Sequence, residues 1–297
     1  MTSAAPIQAR RDRKDPEPAE AAERRPQAAR FGRASPRPSP GLSLIGPSRL
    51  LHVGPSRAFQ TTLALGAAAF YASPDAPVEV SVDGDAWITA DAIAVAPLVR
   101  HRFRTAGAST VGVMVEPETV DAAALRTLTD GADAAPRDAI FAARLLRGAD
   151  TLATTAQDAD WADAEVFDTA MFGAPLAKRA LDPRIAGALR QLAAHLREAG
   201  RGTLSAHLAA GMDLSEDHFL RLFREQTGAA FSRHKRWKRA RRFLALAGDD
   251  LSLTEVAMEL GYPDSAWFSN SIRDVFGFAP RDIRQFAQGV PRMVSDR

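Results

Sequence analysis

The chain has 297 residues, room for about two domains of ordinary size, and its 46% hydrophobic and 25% charged residues are the balance of a soluble globular protein. No stretch approaches the ~18 uninterrupted apolar residues of a membrane-spanning helix, and the opening MTSAAPIQARRDRKDPEP lacks the apolar core of a secretory signal, so the expected compartment is the cytoplasm and no membrane partner is expected. The lack of cysteine excludes disulfides, thiol nucleophiles and cysteine-held zinc, and a net charge of +2 says nothing about nucleic acid until the charges are located.

Residues 1–45 are rich in Pro, Ala, Arg and Ser and almost free of aromatic and β-branched residues. Such a segment cannot bury enough apolar surface to offset its ordering entropy, so a disordered tail is expected. From 46 to 122 the pattern changes to short β-type runs: LLHV, FQTTLAL, AAFYA, VEVSV, AWITADAIAVA, HRFRT and TVGVMV. Turn residues separate them, and Asp83-Gly84 between VEVSV and AWITA is a tight-hairpin signal. Strands at this spacing predict a small barrel or sandwich whose interior can take a small ligand.

Residues 123–183 turn helical in character. TVDAAALRTLTD and PRDAIFAARLLRG carry apolar residues at three- and four-residue intervals, and Ile140, Phe141, Ala143, Leu145 and Leu146 form a one-sided face. That face would either cover the barrel or meet a second copy of the chain. Residues 149–182 read as an acidic, loosely structured connector. Pro183 then opens a helix closed by Gly200 and Gly202, the start of a helical domain spanning 184–289.

That domain repeats one grammar twice. Leu208-Ala209 is followed by a turn at Asp213 and a helix carrying Phe219 and Phe223; Val256-Ala257 is followed by a turn at Gly261 and a helix carrying Phe268 and Ile272. Four residues separate alanine from turn residue in both, because the alanine lets two helices cross closely and the turn wants a residue tolerant of positive φ. Ser215 is placed to cap the second helix of the first unit, and Asp264 or Ser265 that of the second. Between the units, AFSRHKRWKRARRFLALAG packs Arg233, Lys235, Arg236, Lys238, Arg239, Arg241 and Arg242 into ten residues with no acid. A run this dense is usually a solvated face; joining two candidate DNA readers, it is expected to touch phosphates. A linker helix of about 18 residues, ~27 Å long, can set two recognition helices in major grooves about one helical turn apart.

SEDHFLRLFREQTGAAFSRHKRWKRARRFLA followed by SLTEVAMELGYPDSAWFSNSIRDVFGFAPRDIR resembles the AraC/XylS family of transcription regulators. The carriers of the likeness are Val256-Ala257, Leu260-Gly261-Tyr262, Phe268, Phe276-Gly277, Pro280 and Arg284, with Ser215, Phe219, Arg221-Leu222-Phe223 and Thr227-Gly228 in the first unit. Asp213 stands where the family usually has glycine, Ser205 where an apolar residue is common, Ile272 for a frequent phenylalanine and Asn270 for a frequent arginine. The resemblance implies a multidomain fold: an N-terminal all-β cupin-like barrel with flanking helices, and a C-terminal all-α domain with two helix-turn-helix units. It implies double-stranded promoter DNA as partner, with RNA polymerase, a small-molecule effector and a second copy of the chain as further partners.

Carried onto this sequence, the family's recognition positions fall on Ser215, Asp217, His218, Leu220 and Arg221 in the first unit, and on Ser265, Ala266, Ser269, Asn270 and Arg273 in the second. Arg221 suits guanine, Leu220 a thymine methyl and Asn270 adenine, while Arg273 and the linker residues Arg236 and Arg239 suit phosphates. An alternative for Arg221 is a structural pair with a neighbouring acid. Two rival functions are a metal-dependent cupin enzyme with an appended DNA-binding domain, and a ligand-free dimerising DNA-binding scaffold. The barrel offers only His52 and His101, in different strands and with no His-x-His, and no nucleophile-elbow pattern occurs. They are expected to be ordinary surface or pocket residues; no metal, cofactor or catalytic residue is expected.

Overall fold

The computed structural model describes residues 41–56, 59–158, 160–197, 204–288 and 290–295. Residues 1–40 of the expected tail, and the glycines expected to close the helix opened by Pro183, lie outside the described residues.

Residues 42–45, expected to belong to the disordered tail, instead form a strand, β1 (Leu42–Ile45), because Leu42, Leu44 and Ile45 are buried there and the strand has partners to either side. The β runs of the sequence form β2 (Arg49–Pro55), β3 (Phe59–Leu63), β4 (Ala68–Ala72), β5 (Val78–Val82), β6 (Ile88–Ala90), β7 (Ala92–Val95), β8 (His101–Thr105) and β9 (Ser109–Val115). Helix α1 (Ala122–Thr129), strand β10 (Ala134–Arg137), and helices α2 (Ala139–Thr155) and α3 (Ala164–Phe172) follow. The C-terminal half contains α4 (Pro183–Arg197), α5 (Leu204–Ala210), α6 (Glu216–Thr227), α7 (Phe231–Leu246), α8 (Leu253–Glu259), α9 (Ser265–Phe276), α10 (Pro280–Ala287) and a last strand, β11 (Arg292–Val294). The N-terminal half is thus mostly β-sheet and the C-terminal half helical.

The strands make two sheets, one in the order β10-β7-β4-β9-β2-β1-β11 and one in the order β3-β8-β5-β6. All pairings are antiparallel except that of β11 with β1, where Arg292, Met293 and Val294 lie opposite Ser43, Leu44 and Ile45. The Asp83-Gly84 turn takes positive φ at both residues, 45° and 94°, and the Asp85 N–H bonds to the Val82 carbonyl at 2.8 Å. This is the twist that suits a hairpin of right-handed strands.

The large sheet is buried on both faces, which explains why its strands read as continuous apolar runs rather than alternating ones. On β4, Ala68, Phe70 and Ala72 point into one core and Ala69 and Tyr71 into another; on β7, Ala92 and Ala94 oppose Ile93 and Val95 in the same way. The first face is covered by α2, the turn after it and α3 through Leu145, Leu152, Trp161, Phe167 and Met171. Residues 149–172 are therefore no loose connector, whereas 173–182 lack helix: α2 continues to Thr155 and α3 is capped by Asp163, because four large apolar side chains in this acidic stretch (Trp161, Phe167, Met171 and Phe172) have a sheet to bury against. Buried Arg49 holds α3 in place, donating from Nε and Nη2 to the two carboxylate oxygens of Asp168 at 2.6 and 2.7 Å. Of the apolar face expected on α2, Phe141, Leu145 and Leu146 pack on this core together with Ala142, Ala149 and Leu152, whereas Ile140 is 69% exposed.

The second face meets the small sheet, through Val78, Val80 and Phe103, and also α7, α8, α9 and α10. Leu65, between β3 and β4, and sheet residues Tyr71 and Val95 share one continuous core with Trp237, Phe243, Val256, Phe268 and Phe276. Gly66 allows this: a Cβ there would lie 2.3 Å from the Trp237 ring, so only glycine lets the strand connection pass beneath the indole. A separate core joins α4, α5, α6 and the start of α7, built on Leu192, Leu208, Phe219, Phe223 and Phe231.

Candidate nucleic-acid interface

The two helix-turn-helix units are the same device built twice. In the first, the Leu214 N–H returns to the Ala209 carbonyl at 3.0 Å; in the second, the Tyr262 N–H returns to the Ala257 carbonyl at 2.9 Å. The turn residues take φ of 53° at Asp213 and 68° at Gly261, so aspartate does accept the left-handed geometry usually given to glycine. Ser215 caps α6 by accepting the His218 N–H at 3.3 Å, and Asp264 caps α9 by accepting the Trp267 N–H at 2.8 Å. Both helices end in a left-handed glycine, Gly228 and Gly277. Ser205, polar where an apolar residue is common, bonds to the Glu216 carboxylate across the first unit.

Each second helix buries one face and leaves the other open. On α6, Phe219, Phe223 and Thr227 are buried, while Ser215, Asp217, His218 and Arg221 are exposed. Leu220 is half-buried and packs on the core of its own unit. Arg221 forms no ion pair or hydrogen bond among the described residues, so its guanidinium is not used in a structural pair there. On α9, Phe268, Ile272 and Val275 are buried; Ser265, Ala266, Asn270 and Arg273 are exposed and Ser269 is half-buried. The same exposed turn carries Trp267, a residue the sequence pattern did not single out. Its signal was present: it precedes Phe268 and so falls out of phase with the buried set.

Helix α7 joins the units, and its sixteen residues make it roughly 24 Å long. Its basic run does not form one phosphate-facing surface. Exposed Arg236 pairs with Asp274 of α9 at 3.3 Å, Arg239 is half-buried with its guanidinium 5.3 Å from the centre of the Tyr262 ring, and Arg242 pairs with Glu259 of α8 at 3.1 Å. Lys238 and Arg241 turn the other way, onto two glutamates at the end of β9. Glu116, 1% exposed, accepts Trp237 Nε1–H at 3.1 Å, Arg241 Nε at 2.9 Å and the Lys238 ammonium; Glu118, 5% exposed, takes Lys238 at 2.6 Å. Arg241 also donates to the Gly46 and Arg49 carbonyls in the turn between β1 and β2. Burial works against these carboxylates ionising. At Glu118 the Lys238 charge outweighs it and holds the carboxyl below the ordinary value, while burial and the neighbouring Glu118 push Glu116 above it. The expectation of a phosphate-facing run is corrected for these two residues: buried acids more than 110 positions earlier in the chain attract them. No local signal announces that pairing.

His52 and His101 both have protein partners. His101 is buried, its Nδ1 donating to the Val99 carbonyl at 2.9 Å and its Nε2 accepting from the Tyr71 hydroxyl at 2.9 Å, a tautomer fixed by the carbonyl. It is neither a surface nor an open pocket residue, since its neighbour Tyr71 takes the cavity-lining position. Half-buried His52 bonds to Ser43 and lines an apolar cavity of about 210 Å³ whose walls include Tyr71 and Phe103 of the sheets and Leu244, Phe276 and Phe286 of the helices. Among the described residues no three His, Asp or Glu side chains converge as metal ligands, and no helix is long and apolar enough to cross a membrane.

Two capped recognition helices, each with an open polar face and joined by one helix, define the class: a double helix-turn-helix protein with a β-rich N-terminal half. Residues 208–285 match the family described as a helix-turn-helix domain, here of the AraC type. No curated protein matches the chain significantly. Among solved structures, ToxT from Vibrio cholerae O395 is 12% identical with a TM-score of 0.53, over 82% of this chain and 99% of that one. Unsaturated fatty acid-bound wild-type ToxT from Vibrio cholerae strain SCE256 is 11% identical with a TM-score of 0.53, over 83% and 98%. An AraC-type transcriptional regulator from Chromobacterium violaceum is 24% identical over 36% of this chain and 94% of that one, with a TM-score of 0.32. The ToxT likeness is one of fold and spans both halves of the chain.

Proposed function

We propose that this chain is a transcription regulator that reads promoter DNA with α6 and α9 set in successive major grooves, its N-terminal half sensing an effector. The observation that carries this reading is the duplicated turn-and-cap geometry, which leaves Asp217, His218 and Arg221 on one helix and Ser265, Ala266, Asn270 and Arg273 on the other free of the core. In this reading Arg221 donates two hydrogen bonds to a guanine edge, Asn270 reads an adenine, and Leu220 touches a thymine methyl. Ser215 and Ser269 border the groove, and Arg273, Arg236 and Arg239 serve phosphates. The promoter-bound chain acts on RNA polymerase, and a second copy occupies a neighbouring site. The assigned roles are those of a binding protein, with no catalytic residue.

The effector site in this reading is the 210 Å³ cavity, because its walls come from both halves of the molecule. A ligand there binds one arrangement of the halves better than another, which is the only way it can shift the equilibrium. The lining calls for an apolar body, with His52 and Arg292 at hand for a polar end; ToxT, the neighbour in fold, has been solved with an unsaturated fatty acid bound. The deciding experiment captures genomic fragments on the full chain and sequences them. A recurring motif of two short blocks about one helical turn apart is the expected result. Fragments with no common motif would sink the reading.

A further inference from the structure

We propose that Trp267 is the principal sequence-reading side chain of the second unit, making apolar contact with a thymine methyl group in the major groove. The proposal rests on the reading of the chain as a DNA-binding regulator and adds a specificity residue to it. Trp267 lies in the first turn of α9 and is 66% exposed. Its backbone N–H is bound by the capping carboxylate of Asp264, which fixes its place on the turn. Its indole makes no ring contact and no hydrogen bond among the described residues.

Helical residues follow one another at about 100°, so the buried set Phe268, Ile272 and Val275 defines the side of α9 turned away from DNA. The opposite sector holds Ala266, Asn270 and Arg273. Trp267 and Asp274, seven residues apart, share the flank of that sector on which Arg236 of α7 sits. Ser265, Ala266 and Ser269 scarcely extend beyond their Cβ atoms, so they cannot reach far into a groove. The indole is the longest reach of the exposed first turn. Single exposed apolar residues are common on protein surfaces and need no partner. This one stands where the recognition helix has otherwise almost no side chain, and the major groove offers an apolar feature that distinguishes one base, the thymine methyl.

The test uses the full chain and a duplex recovered by fragment capture, with each thymine replaced in turn by uracil, which removes the methyl alone. For the wild-type chain one thymine in the block read by the second unit should matter, its replacement weakening binding about fourfold, as for one buried methyl. Trp267→Ala should bind the thymine duplex roughly tenfold more weakly, as a truncated contact anchor does, and should not distinguish uracil from thymine at that position. Trp267→Phe should keep part of both effects. Because the side chain is exposed, both variants should melt with the wild type. A Trp267→Ala chain that retains wild-type affinity, or retains the thymine preference, overturns the proposal. So does a variant that binds normally but fails only in transcription, which would assign the indole to a protein partner. A wild-type chain that selects no motif overturns the regulator reading instead, and this proposal with it.

Discussion

The two helix-turn-helix units share turn, cap and glycine terminus, yet they live in different surroundings. The first unit has its own core, in which Phe231 packs edge to face on Phe219 and Phe223 with ring centres 5.3 and 5.1 Å apart, and Phe219 and Phe223 tilt against each other at 5.9 Å. The second has no core of its own. Phe268, Phe276 and Trp237 belong to the hydrophobic body that also contains Tyr71 and Phe103 of the sheets. The chain then returns after α10 to add β11 to the large sheet, and Arg292 donates to the Leu244 and Ala245 carbonyls at the end of α7. Anything that alters the sheets therefore reaches the second unit through a shared core, and the first only through α7 and the turn after β9 that α6 touches. The same motif can be a nearly autonomous module or part of a larger core, and only what covers it decides which.

The sharpest way to break this comparison is to hollow out each unit in turn. Phe268→Ala and Phe219→Ala should each cost about 3–5 kcal/mol. Hydrogen exchange should show the first accelerating amides of β4 and β7 and the second only amides of α4 to α6. Equal spreading from both sites would mean that the two cores unfold as one. Next in size is the junction. Glu116→Ala leaves Lys238 and Arg241 partly buried with a counter-ion removed, and the loss should be about 3 kcal/mol by chemical denaturation. A neutral result would mean that water or Glu118 takes over the pairing.

Acid tests the same boundary. Burial lowers His101 to about 4 and His234 to about 3, the latter helped by the Lys238 charge. An unfolded chain takes up these protons near pH 6.5 and the folded one does not, so both groups contribute full stability above that pH. The contribution falls as pH drops, by about 1.4 kcal/mol per unit for each histidine. The decline ends near pH 4 for His101 and near pH 3 for His234. Fluorescence of buried Trp237 followed against pH should report the junction loosening in that window, and His234→Asn should flatten the curve. An unchanged curve would place the acid-sensitive groups elsewhere.

The smaller effects concern DNA. Arg221→Ala should cost ~1–3 kcal/mol of binding and relax the preference at one base pair; unchanged affinity and preference would remove it from the base-reading set. Neutralising Arg236 or Arg239 should weaken binding to all sequences alike and reduce the salt slope by about one each. The reduction should be smaller for Arg239 if its place over Tyr262 keeps it from the phosphates. Identical slopes for variant and wild type would show that neither reaches the backbone.

Much of this was legible in the sequence. Both helix-turn-helix turns, the Ser215 cap, the Asp264 cap as one of two candidates and most strands of the N-terminal half come from interactions spanning a few residues: an aspartate accepting the N–H three positions on, an alanine four before a positive-φ turn, an Asp-Gly between two β runs. The order inside residues 149–182 was not legible, because acidic residues masked four large apolar ones whose partners lie on a distant sheet. The exposure of Ile140 was missed for a related reason: Phe141, Leu145 and Leu146 of the expected face do pack on the core, but only the sheet decides where the covered face of α2 begins.

What the sequence determined by itself is therefore the class of the C-terminal domain and the phase of its recognition helices, since both depend on local geometry. Tertiary structure decided the use of the charges on α7. The run from Arg233 to Arg242 looks uniform in one dimension, but Lys238 and Arg241 meet Glu116 and Glu118 of the β half while Arg236 meets Asp274 of α9. Counter-ions more than 110 residues away cannot be read from spacing. They become neighbours only when a sheet with two apolar faces buries the second of them under α7 to α10.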